Sequence, residues 1–167
     1  MRRLQFATAV SFVLLAAIPA HAEPITLTPE QVGQIFCISR VGNDMAPVEG
    51  LLTAELASAI AEAEAVDAAW AAANPGEKPP LGDGIPWQSY QDYAAICTAG
   101  AATLMMDEAS VPITYAFPEW PDAGFTDYLR LRLVDTGVIG YRVWRIDNLA
   151  YGTDGDLRSS LRLAFMP

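Results

Sequence analysis

The hydrophobic period of this chain changes once, across a segment that suits neither helix nor strand. Residues 74–86 read NPGEKPPLGDGIP. Proline there removes backbone donors and glycine loosens the backbone, so a loop is predicted. Before it, apolar residues recur every three or four positions. After it, they recur every two. Helical and extended stretches kept apart along the sequence predict an α+β domain, with N-terminal helices packed on one face of an antiparallel sheet. The other sheet face is then either wet or concave.

In the first part, Thr28-Pro29-Glu30-Gln31 is a helix start. Thr28 caps, Pro29 suits the first helical position, and Gln31 completes a capping box. Val32, Ile35, Phe36 and Ser39 follow at helical spacing, widened by Cys37 and Ile38, and Gly42-Asn43-Asp44 ends the run. A second helix is predicted over Leu51–Ala73, with Leu52, Leu56, Ile60, Ala63, Val66 and Trp70 on one face.

In the second part, Ile96–Met106 reads as a strand. Asp107-Glu108-Ala109-Ser110 reads as a turn into a strand from Val111 to Phe117, and Pro112 places that strand at a sheet edge or at its own first residues. Phe125–Val134 alternates, with Leu129, Leu131 and Leu133 on one side and Tyr128, Arg130 and Arg132 on the other. Asp135-Thr136-Gly137 reads as a short hairpin loop into a partner strand over Val138–Ile146. Residues 156–165 form a short terminal helix or strand.

The chain opens with Arg2-Arg3, a run of apolar residues from Phe6 to Ile18, then Pro19 and Ala20-His21-Ala22. This is the layout of a signal peptide cut before Glu23. The apolar run is shorter than the roughly 20 residues a spanning helix needs. The expected result is a leader over residues 1–22 and a single periplasmic or secreted α+β domain over 23–167, with no membrane anchor once the leader is removed.

Residues 23–167 hold 20 acidic and eight basic side chains, a net charge of −12. Nucleic acid and anionic lipid both need a basic face, so neither is an expected partner. The charge is uneven. Arg40 and Lys78 are the only basic residues between 23 and 100, whereas Arg130, Arg132, Arg142, Arg145, Arg158 and Arg162 lie in the strand-rich half. The two cysteines, Cys37 and Cys97, read as a disulfide in an oxidising compartment. Closing so long a loop is worth roughly 4 kcal/mol in the chain-entropy picture.

The single histidine, His21, falls in the leader. A chain without histidine has no Ser-His-Asp or Cys-His machinery and no histidine metal site. No dinucleotide, P-loop or nucleophile-elbow pattern is present. No cofactor is implied, and no catalytic residue is assigned. The candidates for a carboxylate base are Asp92, between Tyr90 and Tyr93, and Asp127, beside Tyr128. The oxygens of Asp147, Asn148, Asp154 and Asp156 match no calcium-loop spacing. Trp87 and Trp120 lie in proline-rich loops, where aromatic burial is less automatic. With Tyr90, Asp92 and Tyr128 they are the candidate ligand or partner contacts.

Three segments then bear a resemblance together: the Thr28-Pro29 helix start, KPPLGDGIPWQSYQDYA (Lys78–Ala94) and VWRIDNLAYGTDGDLRSSL (Val143–Leu161). The last is similar to the Trp-x-Ile-Asp-Asp-Ile, Gly, Ser-Leu-Arg ending of small exported bacterial proteins, a family of unknown function with a nuclear-transport-factor-2-like, or cystatin-like, cone. Trp144, Ile146, Asp147, Leu149, Leu157 and Arg158 match, and Asn148 replaces the second Asp. The resemblance implies helices wrapped around a strongly bent sheet that encloses a cone-shaped cavity. It implies no activity, because that fold hosts enzymes, binders and assembly proteins alike. The expected function is non-catalytic binding of a protein or small ligand. The alternatives are an acid–base enzyme of isomerase or hydratase type using Asp92 or Asp127, and an acidic periplasmic immunity or inhibitor protein.

Overall fold

The computed structural model describes residues 26–152 and 154–166; the expected leader lies outside them. The elements in chain order are α1 (Pro29–Gly42), α2 (Ala46–Glu49), α3 (Ala54–Ala73), β1 (Ile96–Ala99), β2 (Thr103–Met105), β3 (Glu108–Ala116), a single 3-10 turn (Pro121–Ala123), β4 (Phe125–Asp135), β5 (Arg142–Ala150) and α4 (Leu157–Leu163). The strands form one antiparallel sheet in the order β1-β3-β4-β5, with β2 also paired to β3. The sheet curls into a half-barrel, and the chain is a mixed helix-and-sheet fold. Among the described residues no helix is long and apolar enough to cross a membrane.

Side-chain alternation explains which sheet face is covered. Ala109, Val111, Ile113 and Tyr115 of β3 and Asp127, Leu129 and Leu131 of β4 are buried on the inner face, with Ile146 and Leu149 of β5. Thr98, Thr114, Tyr128 and Arg130 face water on the other. The second face is therefore wet. Helix α1 lies across the inner face and buries Val32, Phe36, Cys37 and Ser39. Its closest approach is at Gly33, where an added Cβ would stand 2.9 Å from both Ala99 Cβ and Val111 Cγ1. The capping box at Thr28 and Gln31 forms as expected. Ile38 points out of the stripe and is exposed. Cys37 and Cys97 are disulfide-bonded, which fastens α1 to the edge strand β1.

Several boundaries move, each for a local reason. The long helix starts at Ala54 because Thr53 caps it, its side chain accepting from the Leu56 N–H. Leu51 and Leu52 instead run beside β5, where Leu51 O accepts from Ile146 N and Ile146 O accepts from Thr53 N. Leu56, Ile60 and Ala63 face the core, but Val66 is exposed. The short helix α2 has no counterpart in the sequence reading.

The turn expected over Asp107–Ser110 is only Met106-Asp107, since Met105 already pairs with Glu108. The inward alternation of β3 begins at Ala109 and outweighs the turn preference of its neighbours. The expected hairpin loop at 135–137 is also wider. Gly137 (φ 81°) and Gly140 (φ 82°) both take the left-handed conformation, which a strand cannot contain. Val138 and Ile139 are therefore an exposed loop tip, and the partner strand begins at Arg142.

Pro112 is the main correction. It sits in the middle of β3, which is paired on both sides, rather than at an edge. Its missing donor is accommodated by a gap in the neighbouring edge. Ile96–Met106 is not one strand but two, separated at Gly100–Ala102, opposite Pro112. There Gly100 N donates to Pro112 O at 2.8 Å, and Ala102 N donates to Glu30 Oε1 at 3.0 Å. An added Cβ at Gly100 would stand 2.8 Å from the Pro112 ring. The C-terminal segment is a helix, with Asp156 as its N-cap.

Candidate functional site

The loop after α3 has little regular hydrogen bonding of its own, so side chains must hold it in place. Five polar groups do so over residues 86–92. Tyr151 donates to Pro86 O at 2.8 Å, and Tyr115 donates to Trp87 O at 3.2 Å. Asp127 accepts from Ser89 N at 2.8 Å. Gln88, itself buried, donates through its amide to Tyr90 O and Asp92 O. Its carbonyl accepts from Arg40 at 2.7 Å. The Tyr93 hydroxyl then meets the Arg40 and Val41 carbonyls at the end of α1.

Asp127 is the centre of this arrangement. Its position in β4 aims it inward, among Leu129 and Leu131, and it is wholly buried. Oδ2 accepts from Ser89 N and Oδ1 accepts from Gly152 N at 2.9 Å. Gly152 must be glycine, because an added Cβ would stand 1.9 Å from Thr126 O. One buried carboxylate thus pins two irregular segments to the sheet. Burial, and next the nearby Asp127 charge, push the Tyr115 phenol far above its ordinary range. The Tyr151 phenol is raised as well, first by burial and then by Asp127. Both stay protonated and serve as donors to the loop carbonyls.

The pinned loop presents Tyr90 and Asp92 to a second loop. Residues 117–124 connect β3 to β4; Phe117 O accepts from Trp120 N, and Trp120 O accepts from Ala123 N. Together the two loops form a cleft of about 290 Å³ lined by Tyr90, Asp92, Phe117, Trp120 and Ala123. Tyr90 stands edge-on to Phe117, with ring centroids 5.8 Å apart at 67°, and tilted against Phe125 at 5.8 Å. Phe125 is in turn stacked on Tyr115 at 4.6 Å. The back wall is therefore continuous with the core. The front is open: Trp120 keeps 65% of its surface exposed and Tyr90 48%.

Three of the five sequence-derived contacts, Tyr90, Asp92 and Trp120, meet in this cleft. The other two lie elsewhere. Trp87 packs edge-on against Phe36 on the core. Tyr128 is on the wet sheet face, under the Arg130 guanidinium at 5.7 Å. Sequence reasoning passed over Phe117 and Gln88. Phe117 ends an alternating strand and so reads as core. Gln88 has no periodic signal, and only its contacts reveal its role.

The Val143–Leu161 segment forms a separate junction. Asp147 occupies a bulge in β5, where the register against β4 shifts. Its Oδ1 accepts from Thr53 Oγ1 and Arg158 Nη2, both at 3.0 Å, and lies 3.4 Å from Arg132. Arg158 Nε donates to Asp147 O. Asn148 caps α4 together with Asp156: it accepts from Arg158 N and donates to Asp156 Oδ1. These oxygens are engaged in binding α3, α4 and β5 to one another. Among the described residues, no cluster of acidic, cysteine or histidine side chains is placed to hold a metal ion.

No family model, curated protein or solved structure matches the chain.

Proposed function

We propose that residues 23–167 are an exported, non-catalytic binding domain with a cystatin-like cone fold, acting in the periplasm through the Tyr90–Asp92–Trp120 cleft. The observation that carries this reading is the convergence of three side chains from two separate loops on one open apolar recess. An exposed tryptophan ring is costly to hydrate, and here it faces Tyr90 and Asp92 on a loop held by side-chain hydrogen bonds, which favours binding. The disulfide supports an oxidising compartment. The curled sheet with helices on its inner face supports the cone reading.

The chemistry of the carboxylates points the same way. Both oxygens of Asp127 are taken by backbone donors within the fold. A base needs an oxygen free to approach a substrate proton. Among the described residues that line the open cleft, none stands beside Asp92 as a paired acid, nucleophile or histidine.

Native mass spectrometry of the protein purified from a bacterial envelope tests this reading. The wild-type chain is expected to carry a non-covalent mass that is lost on denaturation and absent from Trp120→Ala. A bare chain in both samples, or a mass retained by the variant, overturns the assignment to this cleft.

A further inference from the structure

The walls of the cleft also bear on what it holds, provided that the binding reading is right. Tyr90, Phe117 and Trp120 line the recess, with Phe117 largely buried at its back, and the carboxylate in its lining is Asp92. No basic residue contributes to it. Two further acids, Glu119 and Asp122, flank Trp120 in the sequence, and both are exposed. None of Asp92, Glu119 and Asp122 is within ion-pair distance of a cation among the described residues. Aromatic faces carry negative charge density, and a desolvated cation over several such faces is attracted to all of them. A neighbouring carboxylate adds to that attraction. The chain as a whole, at −12 for residues 23–167, draws cations in from a distance.

Size narrows the occupant further. About 290 Å³, open at the front, is at the low end for small-molecule pockets. It suits a compact head group with its attached chain running out into water. An extended peptide or a helix would need a groove with several recesses. We infer that the cleft is an aromatic cage for an organic cation, a substituted ammonium group held against Tyr90, Phe117 and Trp120 with Asp92 as its counter-ion.

A free small molecule and the ammonium group of a larger one present the same recognition chemistry. Choline and its neutral isostere 3,3-dimethylbutanol separate charge from shape. Phosphatidylcholine vesicles set against free choline separate the two sources. Each would be titrated into the intact 23–167 chain while following the indole N–H signal of Trp120 by NMR, assigned with Trp120→Phe.

Choline is expected to shift that signal saturably and to bind about tenfold more tightly than the neutral isostere, a ratio in keeping with a cation over aromatic faces. Asp92→Asn, which keeps shape and removes charge, should weaken choline severalfold and leave the isostere unchanged. Equal binding of choline and isostere overturns the cation assignment while leaving the cleft a binding site. A Trp120 signal that moves with neither overturns the cation assignment. If native mass spectrometry then still shows a Trp120-dependent mass, the binding reading stands without it; if it does not, both fall.

Discussion

Asp127 and Asp92 lie at the same end of the molecule, beside the same pinned loop, and do opposite things. Asp127 is fully buried, with each oxygen accepting a backbone N–H, so its whole capacity goes into holding Ser89 and Gly152 in place. Asp92 is exposed, and among the described residues its side chain has no hydrogen-bond or ion-pair partner, while its backbone carbonyl accepts from Gln88. The first position is where a carboxylate organises structure. The second is where one is left free to meet something else. The cleft depends on both, since Asp127 fixes the segment that carries Tyr90 and Asp92.

Removing Asp127 should break the comparison most severely. Asp127→Ala leaves the part-buried N–H groups of Ser89 and Gly152 without their acceptor, at about 1–3 kcal/mol each. We expect chemical denaturation to report a loss of about 3 kcal/mol or more, with any Trp120-dependent binding lost as well. A fully stable Asp127→Ala chain would show that the loop holds itself. Cys37→Ser with Cys97→Ser comes next. It releases a 60-residue separation and should cost about 2–4 kcal/mol by the same measurement, a lower melting temperature under non-reducing conditions being the simplest readout. Because neither cysteine lines the cleft, binding by the folded fraction should persist.

A smaller effect is expected at Asp156, in pH dependence. Burial alone would raise its pKa. The bonds from Asn148 and from the Ser159 N–H and hydroxyl outweigh that, with help from Arg162, and hold it below the usual carboxylate value. A depressed folded pKa contributes stability that is present above the unfolded value of about 4 and is lost as pH falls through the folded one. The stability advantage of wild type over Asp156→Asn should therefore shrink between about pH 5 and pH 3. A constant gap across that range would assign the advantage to cap geometry alone. The smallest stability changes belong to the cleft. Trp120→Ala and Asp92→Asn should each alter stability by no more than about 0.5 kcal/mol, as expected for exposed side chains, while altering binding. A large loss on Trp120→Ala would instead make that ring part of the core.

The fold class was legible because periodicity reports burial. Alternation placed Leu129 and Leu131 inward, and the same alternation puts Asp127 on the buried face, which marks it as structural. The capping box at Thr28 and the Cys37–Cys97 pair also followed from local chemistry. What was not legible depended on neighbours distant in sequence. Pro112 reads as an edge residue until Gly100 is seen to form the matching gap. Val138 and Ile139 read as strand until Gly140 is found left-handed. In the cleft, Tyr90, Asp92 and Trp120 could each be suspected from loop composition. Their meeting depends on Gln88, Tyr115 and Tyr151, whose hydrogen bonds no periodic pattern announces.

The gap at Gly100–Ala102 has a consequence for solubility. An exposed sheet edge is a template for another chain, and the residues along this one, Ile96, Leu104, Met105 and Met106, are apolar and exposed. Split by the gap, the edge offers pieces of only four and three residues, too short to recruit a stable foreign strand. A donor at position 112 together with a side chain at position 100 would favour a single ladder from Ile96 to Met105. The rim would then be long, flat and apolar, the kind of edge that templates pairing with a second chain.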